Sequence, residues 1–217
     1  MIGADHEAMT FKHMPPAFFE RLLRAVFAAH HVAAEECQAN FKQPETDNVL
    51  GHYRRAKLEG FMRDAASMEG LQAQVVKSKK SNWNHTELRS GPVVLTASTV
   101  QTPCDLVEES EFRLTLARGT QGVLWPEPRD EPAPNAHLYV LLLHSKSRWA
   151  SREEQLKFGH LPGSAYLAYP AHDLSGYVHD VDLFARFPHV VDSLLPQEWD
   201  TEVKVRFLQF ARKSATA

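Results

Sequence analysis

The stretch NWNHTELRSGPVVLTASTV, residues 82–100, decides how the rest of the chain is read. From Trp83 to Arg89 large polar groups alternate with smaller or apolar ones, and Ser90, Gly91 and Pro92 then break the run before the apolar segment Val93 to Val100. A period of two residues belongs to a strand, whose successive side chains point to opposite faces. The pattern predicts two strands joined by a tight turn, with Trp83, His85, Glu87 and Arg89 on one face. Such a face carries either chemistry or ordinary contact with solvent.

Downstream, β-branched and aromatic runs set between breakers predict strands near 72–78, 83–89, 92–100, 122–125, 137–145, 164–170, 176–183 and 202–209. Residues 105–118 read as a short helix, with Phe112 and Leu116 four apart and Gly119 as its stop. The segment 126–134 has four prolines in nine residues and is expected to be an exposed loop inside one domain.

Upstream the period changes to that of a helix. After Pro15 and Pro16, residues Phe18, Phe19, Leu22, Leu23, Val26, Phe27, Ala33, Ala34 and Cys37 form one wide apolar stripe. Pro44 interrupts it, and Thr46, Asp47 or Asn48 starts a second helix through Leu50, Tyr53, Leu58, Phe61, Met62 and Ala65, ended by Gly70. The expected fold is therefore α+β: an N-terminal helical hairpin packed on a mostly antiparallel multi-stranded sheet. It is read as a single domain, 1–217, with its helical part at 15–70 and its sheet part at 71–210.

Composition narrows the class. A chain of 217 residues with 43% hydrophobic and 24% charged residues has the make-up of a globular domain. A net charge of -3 gives no overall attraction for a polyanion. The cysteines, Cys37 and Cys104, are too few for a disulfide framework and fit a reducing compartment. Residues 1–14 lack the apolar core of a signal peptide, and no run approaches the roughly 18 apolar residues of a membrane span. A soluble, cytoplasmic protein with no membrane partner is expected.

Several side chains have the types that carry chemistry. His85, Glu87 and Arg89 would serve a metal-independent ribonuclease as imidazole acid, carboxylate base and guanidinium for the phosphorane. The competing reading is a half-solvated sheet face. Lys77, Lys79 and Lys80, with Trp83 and the upstream Arg21, Arg24, Arg54, Arg55 and Arg63, offer a nucleic-acid-binding surface of cations and one stacking ring. Against it, the lysines read as a solvated turn, and the arginines as helix faces balanced by Glu20, Glu35, Glu36, Glu59 and Asp64.

Metal and cofactor signatures are weaker. His144, His172 beside Asp173, and His179 beside Asp180 invite a metal reading, but without HExxH or CxxC spacing no metal is assigned. Asp182 with Glu202 and Lys204 can be aligned with a magnesium nuclease, although residues 202–207 also read as a plain amphipathic strand. Cys37 reads as core packing, and Ser164 lacks the glycine that follows the serine of a nucleophile elbow. No Walker loop or dinucleotide fingerprint is present, so no cofactor is expected.

Taken together, residues 84–98, Glu111 to Arg113, residues 137–144 and residues 177–183 resemble a poorly characterised family of bacterial and phage proteins. Such proteins are encoded in mobile-element, defence or toxin-antitoxin-type loci, sometimes beside helix-turn-helix regulators. The resemblance covers residues 82–183 and implies a setting rather than an activity. The functional expectation is a non-enzymatic module that binds a protein partner, a regulator or toxin of such a locus. The alternatives are a ribonuclease-like enzyme using His85, Glu87 and Arg89, and a nucleic-acid-binding regulator.

Overall fold

The computed structural model describes residues 2–77, 83–103, 105–124, 137–147, 153–154, 158–197, 199, 203–204 and 207. The stretch that opens the reading forms β2 (Asn84–Ser90) and β3 (Val93–Val100), joined where Gly91 takes a positive φ of 53° that other residues rarely adopt. Added to them are β1 (Gln72–Lys77), β4 (Leu138–Lys146), β5 (Pro162–Pro170) and β6 (Tyr177–Asp182), in the spatial order β1 to β6. Neighbouring strands run antiparallel except β3 and β4, which are parallel. That parallel pair requires a crossover, and α4 (Glu111–Leu124) lies within it.

The helices divide between the two sheet faces. The apolar stripe of α2 (Pro16–Asn40) buries Phe18, Phe19, Leu22, Leu23, Val26 and Cys37, and pairs with α3 (Glu45–Met68) as the expected hairpin. Together with α1 (Ile2–His13), α5 (Leu183–Arg186) and α6 (Pro188–Leu194), they cover the face carrying Leu88, Val93, Leu95, Leu138, Val140, Leu142 and Leu167. On the opposite face α4 contributes Leu116 and Ala117 to a second core with Val94, Tyr139, Leu141, Leu143 and Tyr166. Eight of the nine residues of β4 are buried, as a strand covered on both faces requires.

Five expectations are corrected. Residues 1–14 were assigned no element, yet α1 forms and Ser90 Oγ donates to the His13 carbonyl at 2.6 Å, tying it to the β2–β3 turn. Residues 105–110 are not helical, because the Asp105 carboxylate accepts from the Thr102 amide at 2.6 Å and holds a turn. The strand expected at 122–125 is helical through Leu124. Gly119 does not stop α4; the His137 ring lies where a Cβ would stand, so the missing side chain permits close approach of the chain entering β4.

Finally, Val203, Lys204 and Phe207 are helical where a strand was expected at 202–209. Val203 and Phe207 both meet the core, and a separation of four puts them on one helical face, whereas the alternation with Val205 had suggested a period of two. The proline-rich segment 126–134 lies outside the described residues, as do Cys104, Lys79, Lys80 and Glu202. Among the described residues no helix is long and apolar enough to cross a membrane.

Candidate functional site

His85, Glu87 and Arg89 share one face of β2, as alternation requires, but the face is not solvated. His85 is 4% and Glu87 5% exposed, because α4 lies over them and the Phe112 ring stacks on the imidazole with centroids 3.9 Å apart. The Glu87 carboxylate is the hub. It accepts from His85 Nε2 at 3.2 Å, Gln74 Nε2 at 3.1 Å, and Arg89 Nε and Nη2 at 3.2 and 2.6 Å. These bonds, led by that from His85 and joined by those from Arg89 and Gln74, hold Glu87 at about 2 despite its burial.

The register explains who meets whom. Gln74 of β1 lies opposite Glu87, so its amide reaches the carboxylate directly. On the same face Thr96 bonds the Tyr139 hydroxyl at 2.9 Å, and burial pushes that phenol well above its usual range. Arg113 of α4 completes the cluster, donating to Ser98 Oγ at 3.1 Å and to the Glu108 carbonyl at 2.7 Å. Phe112, Arg113, Ser98 and Tyr139 were not picked out as site residues in the sequence. The helix expected at 105–118 was the signal, but only the crossover puts the helix that forms, α4, over β2.

This geometry changes the chemistry available to the triad. A carboxylate with four hydrogen bonds and a depressed pKa is a weak base at neutral pH, so Glu87 is placed to fix the imidazole and guanidinium rather than to take a proton. Arg89 is likewise engaged by Glu87, with its side chain 39% exposed.

The basic group is dispersed. Trp83 precedes β2 and turns toward α3, where His52 stacks on its ring at 5.4 Å and the Arg55 guanidinium lies 5.6 Å above it. It does not join His85, which faces α4. Lys77 ends β1. The upstream arginines are not balanced by the expected acids: Arg21 pairs with Glu69, Arg63 bonds Thr86 Oγ1, and Glu59 accepts from the Thr86 amide.

The metal candidates also separate. His144 lies opposite Ala165 and His179 opposite Tyr169, four residues further along β5 and roughly 13 Å away along the strand. His179 instead approaches Glu7 at 3.4 Å, and the Asp182 carboxylate caps α5 by accepting from the Phe184 and Ala185 amides. Among the described residues no three His, Cys, Asp or Glu side chains are placed to hold a metal ion. Cys37 is fully buried, and the Ser164 hydroxyl pairs with that of Ser145 at 2.7 Å.

One cluster escaped the sequence reading. His30 Nε2 and His144 Nδ1 are 3.0 Å apart in the core, and His144 Nε2 bonds Thr99 Oγ1 at 3.1 Å. Burial, then the Arg54 charge, lowers His144 to about 3. Burial, then His144, Arg54 and His160, holds His30 well below its usual value. Both imidazoles are therefore neutral at physiological pH. No family model, curated protein or solved structure matches the chain.

Proposed function

We propose that this chain is a non-enzymatic protein-binding module that takes an extended segment of its partner as an added strand beside β1. The observation that carries this reading is the contrast between the sheet's edges. At one end β6 has Asp180, Asp182 and His179 and lies against α1, features that blunt an edge. At the other, β1 has no strand beyond it among the described residues, contains no proline, and has a single charge, Lys77. Val75 is 55% exposed there. Main-chain groups along such an edge supply affinity, and alternate side chains supply selectivity. The sealed network around Glu87 supports a scaffolding role for the polar face behind it.

The partner class is a regulator or toxin of a mobile-element or defence locus, as the sequence resemblance implies. Co-expression with the product of an adjacent gene, followed by amide exchange, tests the reading. Protection confined to residues 72–77, and its loss in Val75→Glu, is expected. Protection elsewhere, or a complex that Val75→Glu leaves intact, would sink it.

A second reading has its own observation. Trp83, His52 and Arg55 gather at the β2 entrance, and Arg55 is close enough to Arg113 for its charge to help depress that guanidinium, after burial. A ring with a guanidinium over it suits a nucleobase and its phosphate. Under this reading the ring and the guanidinium bind RNA, while His85 stays buried beneath Phe112. RNA binding by purified protein that disappears in Trp83→Ala would put this reading first.

A further inference from the structure

The buried stripe of α3 runs through Thr46, Arg54, Leu58, Glu59, Met62, Ala65 and Ala66, so an arginine occupies a position that helical spacing gives to the core. Arg54 is 6% exposed and makes one hydrogen bond, from Nη2 to the Gly159 carbonyl at 3.3 Å. Its Nε is buried without a partner. No carboxylate among the described residues pairs with it, and Glu59, the acid on the same stripe, is spent on the Thr86 amide. A buried guanidinium lacking a counter-charge is costly, and the cost is relieved by an anion.

The histidines beside it lack the same thing. In the His30–His144 pair one nitrogen must carry the shared proton. If His144 Nδ1 donates, His144 Nε2 accepts from the Thr99 hydroxyl, and His30 Nδ1 becomes an N–H that is buried with no acceptor. Two unmatched donors, His30 Nδ1–H and Arg54 Nε–H, are then reached by no carboxylate among the described residues. The rim is formed by the turn at 158–161, pinned by Ser147, whose amide donates to the Leu161 carbonyl and whose hydroxyl donates to the Phe158 carbonyl, both at 3.1 Å. That turn presents Gly159 to Arg54 and sets the His160 ring 5.2 Å from that of His31, whose side chain is 52% exposed and whose Nε2 lies 3.3 Å from Glu35 Oε1.

We propose that Arg54 and His30, reached past the His31–His160 rim, form a binding site for a small phosphate-type oxyanion, either free phosphate or the terminal group of a phosphomonoester. Donors arriving from α2 and α3 meet a tetrahedral anion from two directions, whereas a planar carboxylate is satisfied by the guanidinium fork alone. The anion selects the tautomer in which His30 Nδ1 donates. The exposed rim at His31 is the way in.

The test is thermal unfolding of the full chain in inorganic phosphate, in glycerol phosphate, in acetate and in chloride at matched ionic strength. Phosphate at a hundredfold its Kd is expected to raise the folded-to-unfolded ratio about a hundredfold, with acetate and chloride without effect. An effect of glycerol phosphate alone assigns the site to monoesters. Arg54→Met, which puts an apolar residue of similar length on the stripe, should fold and lose the response. If that variant fails to fold, the Arg54 Nε–H resonance of the native protein decides, moving on phosphate addition and not on acetate. Equal stabilisation by phosphate and chloride, equal stabilisation by acetate, a response retained in Arg54→Met, or an unmoved Nε–H resonance overturns the proposal.

Discussion

The two buried polar clusters of this protein contain similar residue types and are solved in opposite ways. Under α4, one carboxylate, Glu87, gathers His85, Arg89 and Gln74, while Arg113 bonds Ser98 Oγ and the Glu108 carbonyl and keeps its Nε buried without a partner. Beneath α2 and α3, Arg54, His30 and His144 meet no carboxylate among the described residues, and Arg54 and His30 each keep a buried nitrogen without a partner. The first arrangement is built around a carboxylate and serves the sheet. The second is incomplete, and incompleteness in a buried site is a sign of a missing partner.

The comparison breaks most visibly at its hub. Glu87→Ala leaves His85 and the Arg89 guanidinium without their acceptor and is expected to cost about 3 kcal/mol in urea unfolding, the low end for a broken buried pair because Arg89 remains partly in water. A cost under about 1 kcal/mol would mean that the network is not structural.

Acid separates the clusters next. His144 has an ordinary value of 6.5 but about 3 in the fold, so the unfolded chain takes up its proton first. Its contribution is complete above pH 6.5 and is lost as pH falls toward 3, at about 1.4 kcal/mol per pH unit, or about 2 kcal/mol by pH 5. Glu87 is depressed from 4.5 to about 2, so its share is complete above pH 4.5 and disappears toward pH 2. Stability measured against pH should have a shallower upper slope in His144→Gln, where His30 remains, and a shallower lower slope in Glu87→Gln. A flat profile between pH 6.5 and 5 would show that the imidazoles are not held neutral.

A smaller effect has the opposite sign. In phosphate-free buffer Arg54→Met is expected to stabilise by about 1 kcal/mol, since it removes an uncompensated buried charge. The change at Glu87, the carboxylate of the other cluster, destabilises. Smallest is Val75→Glu, expected to shift stability by less than about 0.5 kcal/mol while abolishing partner docking, which calorimetric unfolding and complex formation measure separately.

How much of this could be read beforehand depended on the range of the forces involved. The α+β class, the α2–α3 hairpin and the sheet-forming segments from β1 to β6 were legible, because period and breakers act within one element. The shared direction of His85, Glu87 and Arg89 was legible too, since it follows from the pleat. The covering of that face was not. Whether alternating polar groups meet water or a helix depends on where the β3–β4 crossover lies.

Residue by residue, the chain determined its own local geometry: Gly91 turns, Pro15 and Pro16 open α2, and the unbroken run Leu138 to Leu143 demands a strand covered on both sides. Tertiary structure alone decided the electrostatics. Arg54 read as one more surface cation until α2, the 158–161 turn and β4 enclosed it, because the energy of a charge depends on what surrounds it in space, and those neighbours come from positions more than a hundred residues apart in the chain.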